Sequence, residues 1–168
     1  MSAASSAPSP DTTPADFDFS QYKYIYPPNA RGQEQLNIML NMEAANKDPM
    51  APEYIDQEIL FQTKYWHVSN NRFPYEGAEQ QFLVVAVGSI YKLEDISPEM
   101  WLDLQAIWQK LIHEYTLKGG ALVFRFGDFD RSGASLTRVH CHIIQPQEGA
   151  KVRPAIGGRK ALKEGLHL

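Results

Sequence analysis

Near the end of the chain Arg138, His140 and His142 alternate with Val139, Cys141 and Ile143. Side chains on a β-strand point to opposite faces with a period of two, so the three basic groups share one face and the apolar groups the other. Two imidazoles then lie side by side. Neutral imidazole is a nucleophile near pH 7, and imidazolium can hold or protonate a phosphate oxygen, so the pair supports both halves of a displacement at phosphorus. Gly133-Ala134-Ser135 feeds the strand. A glycine there lets the backbone approach an anion closely and a serine hydroxyl can donate to it, while the same residues also make an ordinary turn.

The other readings of these residues are blander. A His-x-His pair on a half-exposed strand can be two solvated polar groups. Alternating histidines can also chelate zinc, but a catalytic site needs a third protein ligand, and no neighbouring Cys, Asp or Glu and no His-Glu-x-x-His helix supplies it. No metal and no cofactor is expected. Cys141 falls on the apolar side and reads as a small core residue rather than a nucleophile. His67 and His113 have no partner signal and read as structural.

The elements that must hold this strand follow from the chain in order. Residues 1–20 are rich in Ser, Ala, Pro, Asp and Thr and read as a disordered tail, because they bury too little apolar surface to offset the entropy of ordering. Phe17, Phe19, Tyr22, Tyr24 and Tyr26 alternate toward Pro27-Pro28, as an extended segment on a neighbouring surface would. Leu36, Met39, Leu40 and Met42 recur at helical spacing before Asp48-Pro49, giving a helix within an extension over 21–57. The β-branched and aromatic residues of 59–63 and 65–69 predict two strands with a turn at Lys64. Asn70 to Tyr75 is a turn with a proline, and Phe82 to Val87 is an apolar run that fits a central strand.

Ser97-Pro98-Glu99 opens a long helix with a hydroxyl cap and proline at its first position. Its predicted stripe is Trp101, Leu104, Trp108, Leu111 and Tyr115, widened by Met100, Ile107 and Ile112, and Gly119-Gly120 ends it. Residues 121–126 form a further strand before the histidine strand. Past Pro146 the chain turns basic, with Lys151, Arg153, Arg159, Lys160 and Lys163 among glycines, and reads as a flexible tail over 147–168. Strands outnumber helices, which predicts an α+β layered fold.

Composition narrows the partners. A formal charge of −4 and a 43% hydrophobic sequence of 168 residues fit one globular domain and argue against a broad surface for duplex nucleic acid, leaving nucleotides open. One cysteine excludes an internal disulfide, and no signal or membrane-spanning run is visible, so a cytoplasmic protein without membrane contact is expected.

The histidine segment, with its Gly-x-Ser turn and Ile143-Ile144-x-Pro146 ending, resembles the signature strand of the histidine triad (HIT) superfamily of nucleotide hydrolases and transferases. Both flanks place Arg138 where the family has its first histidine, His140 at the middle and His142 at the third. The resemblance covers roughly 58–146 and implies an antiparallel sheet of about five strands with a long helix on one face, in a homodimer. It implies that His140 attacks the α-phosphorus of a nucleotide to give a nucleotidyl-histidine, with His142 on the same phosphate and its positive charge stabilising the oxygens. Ser135 and the backbone after Gly133 would form the phosphate loop, and Asn71 the ribose contact unless it is only a turn residue. Arg138 would be a phosphate clamp or an exposed surface arginine. Phe73, Tyr75 and Trp66 would wall a base pocket or belong to the core, and Arg72, Arg125 and Arg131 would add positive potential. Gln80-Gln81 and Arg125 stand where the family often has Gly-His and Asn. The implied activity is cleavage or transfer at a phosphoanhydride or phosphoramidate, as in a dinucleoside polyphosphate. The alternatives are a nucleotide-binding protein with little turnover and a scaffold acting through its two tails.

Overall fold

The computed structural model describes residues 18–168; the expectation of a disordered tail falls mostly on residues 1–17, which lie outside the described residues. A helix α1 (Gln33–Ala44) precedes β1 (Ile59–Gln62), β2 (Trp66–Asn70) and β3 (Ala78–Ala86). There follow α2 (Pro98–Glu114), β4 (Ala121–Phe124), a single-turn α3 (Phe129–Ser132) and β5 (His140–Pro146). The five strands form one antiparallel sheet in the order β1-β2-β3-β5-β4, so the histidine strand lies between the long apolar strand and the last edge. No helix among the described residues is long and apolar enough to cross a membrane.

The two faces of the sheet differ in kind. Trp66, Val68, Phe82, Val84, Cys141 and Ile143 point toward α2 and pack with Met100, Leu104, Ile107 and Leu111 as the main core. Burying such side chains stabilises the fold by about 1.5–3 kcal/mol each. Helix α2 starts as its sequence predicts, with Ser97 Oγ accepting the Met100 N–H at 3.3 Å. Its buried stripe is narrower than expected: Trp101 and Trp108 are about 40% exposed, because Met100 and Ile107, one position earlier, already occupy the line facing the sheet. The helix ends at Glu114, where Thr116 takes a positive φ of 52°, before the glycine pair.

On the opposite face His67, Leu83, Val85, His140 and His142 are covered by Met50 and, at its margins, Ile55 and Leu136. The aromatic run before α1 is not extended. Residues Phe19–Gln21 form a 3-10 turn, Phe19 is buried, and Tyr26 stacks flat on Phe129 with centroids 4.9 Å apart. Ile25 bridges to Leu136, tying this segment to the loop that leads into β5. Nor is the basic end free. Residues 147–168 contain no helix or strand, yet Leu162 and Leu166 pack on the α1 cluster and the Gly158 N–H donates to Asp130 O at 2.8 Å.

Candidate active site

In β5 the alternation sends His140 and His142 to one face and Cys141 to the other, where the thiol is fully buried in the α2 core and its pKa is pushed up by that burial. The two imidazoles meet edge to face, with centroids 5.3 Å apart and planes at 89°. Each ring has a defined tautomer, and the neighbours that define it can be named.

His140 Nδ1 lies 2.7 Å from the carbonyl oxygen of Arg138. A carbonyl only accepts, so Nδ1 carries the proton and the lone pair of the neutral ring sits on Nε2. Nε2 makes no hydrogen bond among the described residues. The one wholly buried side-chain nitrogen or oxygen without a partner among them is His67 Nδ1. His140 Nε2 is therefore open to the cavities that the ring lines.

His142 is set the other way round. The Gln81 amide nitrogen is 3.2 Å from His142 Nδ1, and the Asn71 amide nitrogen is 3.4 Å from it. Which end of each amide points at the ring is fixed on its far side: Gln81 Oε1 accepts the Tyr75 N–H at 2.7 Å and Asn71 Oδ1 accepts the Phe73 N–H at 3.0 Å. Two NH2 groups thus face Nδ1, which must accept, leaving the proton on Nε2. Burial lowers the pKa of His140, helped by Arg125 and Arg31. Burial also holds that of His142 well below the ordinary value, with His140 and the same arginines adding to it. The expected positive charge on His142 is corrected accordingly: it is a neutral N–H donor, because its other nitrogen is saturated by donors.

Positive charge comes instead from arginines. A cavity of about 250 Å3 in front of the histidines is lined by Gly133, Ser135, Arg31, Arg125, Arg153, Arg159 and Lys163, and by no carboxylate. Arg31 lies against the Tyr75 ring, 4.0 Å from its centroid, and donates to Phe73 O. Burial pulls its pKa down, as expected for a cation that has lost water without gaining an anion. Arg125 donates to Tyr75 Oη at 2.8 Å, to Ala155 O at 2.5 Å and to Ser132 O. Gly133 adopts a left-handed φ of 73°, and a Cβ there would stand 2.8 Å from Gly157 O, so glycine is required by both conformation and space. A second recess of about 90 Å3, walled by Met39, Met50, Ile55, Phe73 and Leu83, is lined by the same two rings.

The sequence-predicted residues divide clearly. His140, His142, Asn71, Gly133 and Ser135 are brought together, with Asn71 against His142 rather than alone in a turn. Arg138 does not line the cavity that both histidines share, although it borders a larger recess with His140. Its guanidinium is buried, with Nε on Asp48 Oδ2 at 2.8 Å and Nη1 on the carbonyls of Ala86, Val87 and Gly88, so it is not an exposed surface arginine. Asp48, ninety positions away, drew it inward. Trp66 lies in the α2 core, Arg72 is paired with Glu34 and Asp56, and Arg131 is exposed and does not line the cavity. Sequence reasoning missed Arg31 and the part played by Gln81. For Gln81 the signal was its parity with Leu83 on β3, which puts it on the histidine face.

No family model and no curated protein matches the sequence. Solved structures do match the fold. A HIT family hydrolase from Clostridium thermocellum superposes with a TM-score of 0.50 at 14% identity, over 59% of this chain and 87% of that one. A HIT-like protein from Bartonella henselae gives 0.50 at 15%, over 62% and 80%. The likeness is one of architecture: the chain folds as a HIT-type α+β protein, a five-stranded antiparallel sheet with its long helix on one face and the histidine strand inside it.

Proposed function

We propose that the protein is a HIT-type nucleotide hydrolase or nucleotidyltransferase, with His140 as nucleophile. The observation that carries this reading is the 2.7 Å contact between His140 Nδ1 and Arg138 O, which directs the free lone pair to Nε2 at the cavity. In the first step Nε2 attacks the α-phosphorus of a phosphoanhydride or phosphoramidate. An N–P bond forms, the bond from phosphorus to the leaving oxygen or nitrogen breaks, and the leaving group departs with its pair of electrons, taking a proton from solvent where it needs one, which the water of the second step returns. In the second step water, or another acceptor, attacks the nucleotidyl-histidine, and the N–P electron pair returns to Nε2. In this reading His142 Nε2–H and the Ser135 hydroxyl donate to the phosphate oxygens, while Arg31 and Arg125 supply the charge that stabilises them, which their shared cavity supports. Asn71 would meet the ribose. A dinucleoside polyphosphate fits this proposal, since its bridging anhydrides present an α-phosphorus and a good leaving group together.

A joined pair of sheets belongs to the same proposal. β4 is an edge strand paired only with β5, and Phe126 just beyond it is 71% exposed. A second reading, nucleotide binding with little turnover, draws on Arg138: its Nε is held by Asp48 and its Nη1 by backbone carbonyls, so it does not stand beside the pair as a third imidazole would. The experiment that separates the two uses α-phosphate-labelled dinucleoside triphosphate, acid-labile label on the protein and product release. Label and turnover that both disappear in His140→Asn are expected. Tight binding with neither would leave the second reading standing.

A further inference from the structure

We infer that residues 153–163 build an oligophosphate-binding subsite against the histidine pair, with Arg153, Arg159 and Lys163 as its cations. This deepens the reading above, because a chain of phosphates leaving the attacked phosphorus would lie there, but the binding itself needs no turnover.

The segment is held in place by its backbone. The Gly158 α-carbon is pressed so closely on α3 that a Cβ would lie 2.0 Å from Phe129 O. The Arg159 N–H donates to Asn29 Oδ1 at 3.0 Å, and the Asn29 amide in turn donates to Phe129 O at 2.9 Å and Ala134 O at 2.7 Å. Tyr26 Oη donates to Arg159 O at 3.1 Å, and further on the His167 N–H donates to Gln33 Oε1 at 2.9 Å. The main chain is thus anchored at several points along its length while its long side chains are spared.

Those side chains all border the histidine cavity, and none of their charged groups has an ion-pair or hydrogen-bond partner among the described residues. With Arg31 and Arg125 the cavity lining carries five cations and, among the described residues, no acid, in a protein whose net charge is −4. Like charges brought this close repel unless an anion joins them. A single phosphate can be served by the two histidines, Arg31 and Arg125. The three outer cations extend the positive wall beyond it, which suits a ligand carrying several charges in a row.

The test is calorimetric titration of the full chain with inorganic tripolyphosphate and with orthophosphate at fixed ionic strength. Tripolyphosphate is expected to bind at least roughly tenfold more tightly. The variant R153Q/R159Q/K163Q should lose about that factor for tripolyphosphate and change little for orthophosphate, whereas K47Q/K64Q/K118Q, with the same change in net charge, should change neither. Gly158→Val keeps every charge but displaces the segment, and should reproduce the loss. Equal affinities for the two anions, or tripolyphosphate affinity untouched by the outer triple substitution, would overturn the subsite. Labelled-nucleotide trapping can fail while tripolyphosphate still binds; the transfer reading then falls and the subsite remains.

Discussion

Arg138 and Asp48 form an ion pair at 2.8 Å with both side chains about 95% buried, and the arginine closes on three consecutive carbonyls at the end of β3. The same residue's own carbonyl accepts the Nδ1 proton of His140. Its side chain therefore fixes the place where β5 begins, and its backbone sets the tautomer of His140. Removing one partner leaves a buried charge unpaired, which costs about 3–5 kcal/mol. Asp48→Ala should lower stability by that amount in urea unfolding. Arg138→His, although it would complete three alternating histidines, should destabilise comparably and gain no activity.

His142 offers a spectroscopic check. In 15N-detected NMR its Nδ1 should show the shift of an unprotonated nitrogen and its Nε2 that of a protonated one. Gln81→Glu replaces a donor with an acceptor, so the neutral ring should carry its proton on Nδ1 and leave Nε2 bare. If His142 Nε2–H serves as a neutral donor, kcat should fall by roughly a hundredfold, the usual loss when a positioned donor is removed.

The pH dependence follows from the direction of the shifts. Both site histidines have folded-state pKa values below the unfolded value of about 6.5, so in the window beneath it the unfolded chain binds more protons than the native one. Stability contributed by these groups is complete above about 6.5 and declines as pH falls toward their folded pKa values. Denaturation midpoints should drop as the pH falls below about 6.5. The acid limb of kcat/KM should lie below the ordinary histidine range, since His140 is still neutral there.

Arg31 carries a prediction of its own. It is a half-buried cation resting on Tyr75, with no carboxylate among its contacts. Arg31→Gln should leave stability within about 1 kcal/mol or raise it, because desolvation of the charge is relieved. It should weaken phosphate binding and lower kcat/KM by roughly ten- to a hundredfold. Thermal unfolding and steady-state kinetics on one preparation would check both directions.

What the chain reveals by itself is local. The alternation around Cys141, the Ser97 cap and the apolar run at Phe82 each depend on near neighbours, and each element lies where those neighbours put it. What stayed hidden depends on distant pairings. Asp48 reaches Arg138, Gln81 reaches His142 and Asn29 reaches Arg159 across 60 to 130 positions, and no spacing rule encodes such partners. Glycines at 157 and 158 read as looseness in a basic tail, whereas Gly158 permits the tightest backbone approach on α3. Arg31 gave no signal in the sequence, because Tyr75 and Phe73 meet it from a loop more than forty positions away.

The lone thiol at Cys141 sits between the two histidines in sequence and wholly beneath them in space. An alkylating reagent added outside can reach it only when the strand parts from the helix beneath, so the speed of its capture would clock how often this region opens. One atom of sulfur thereby serves as a built-in stopwatch for the histidine strand, readable by mass spectrometry without any substitution.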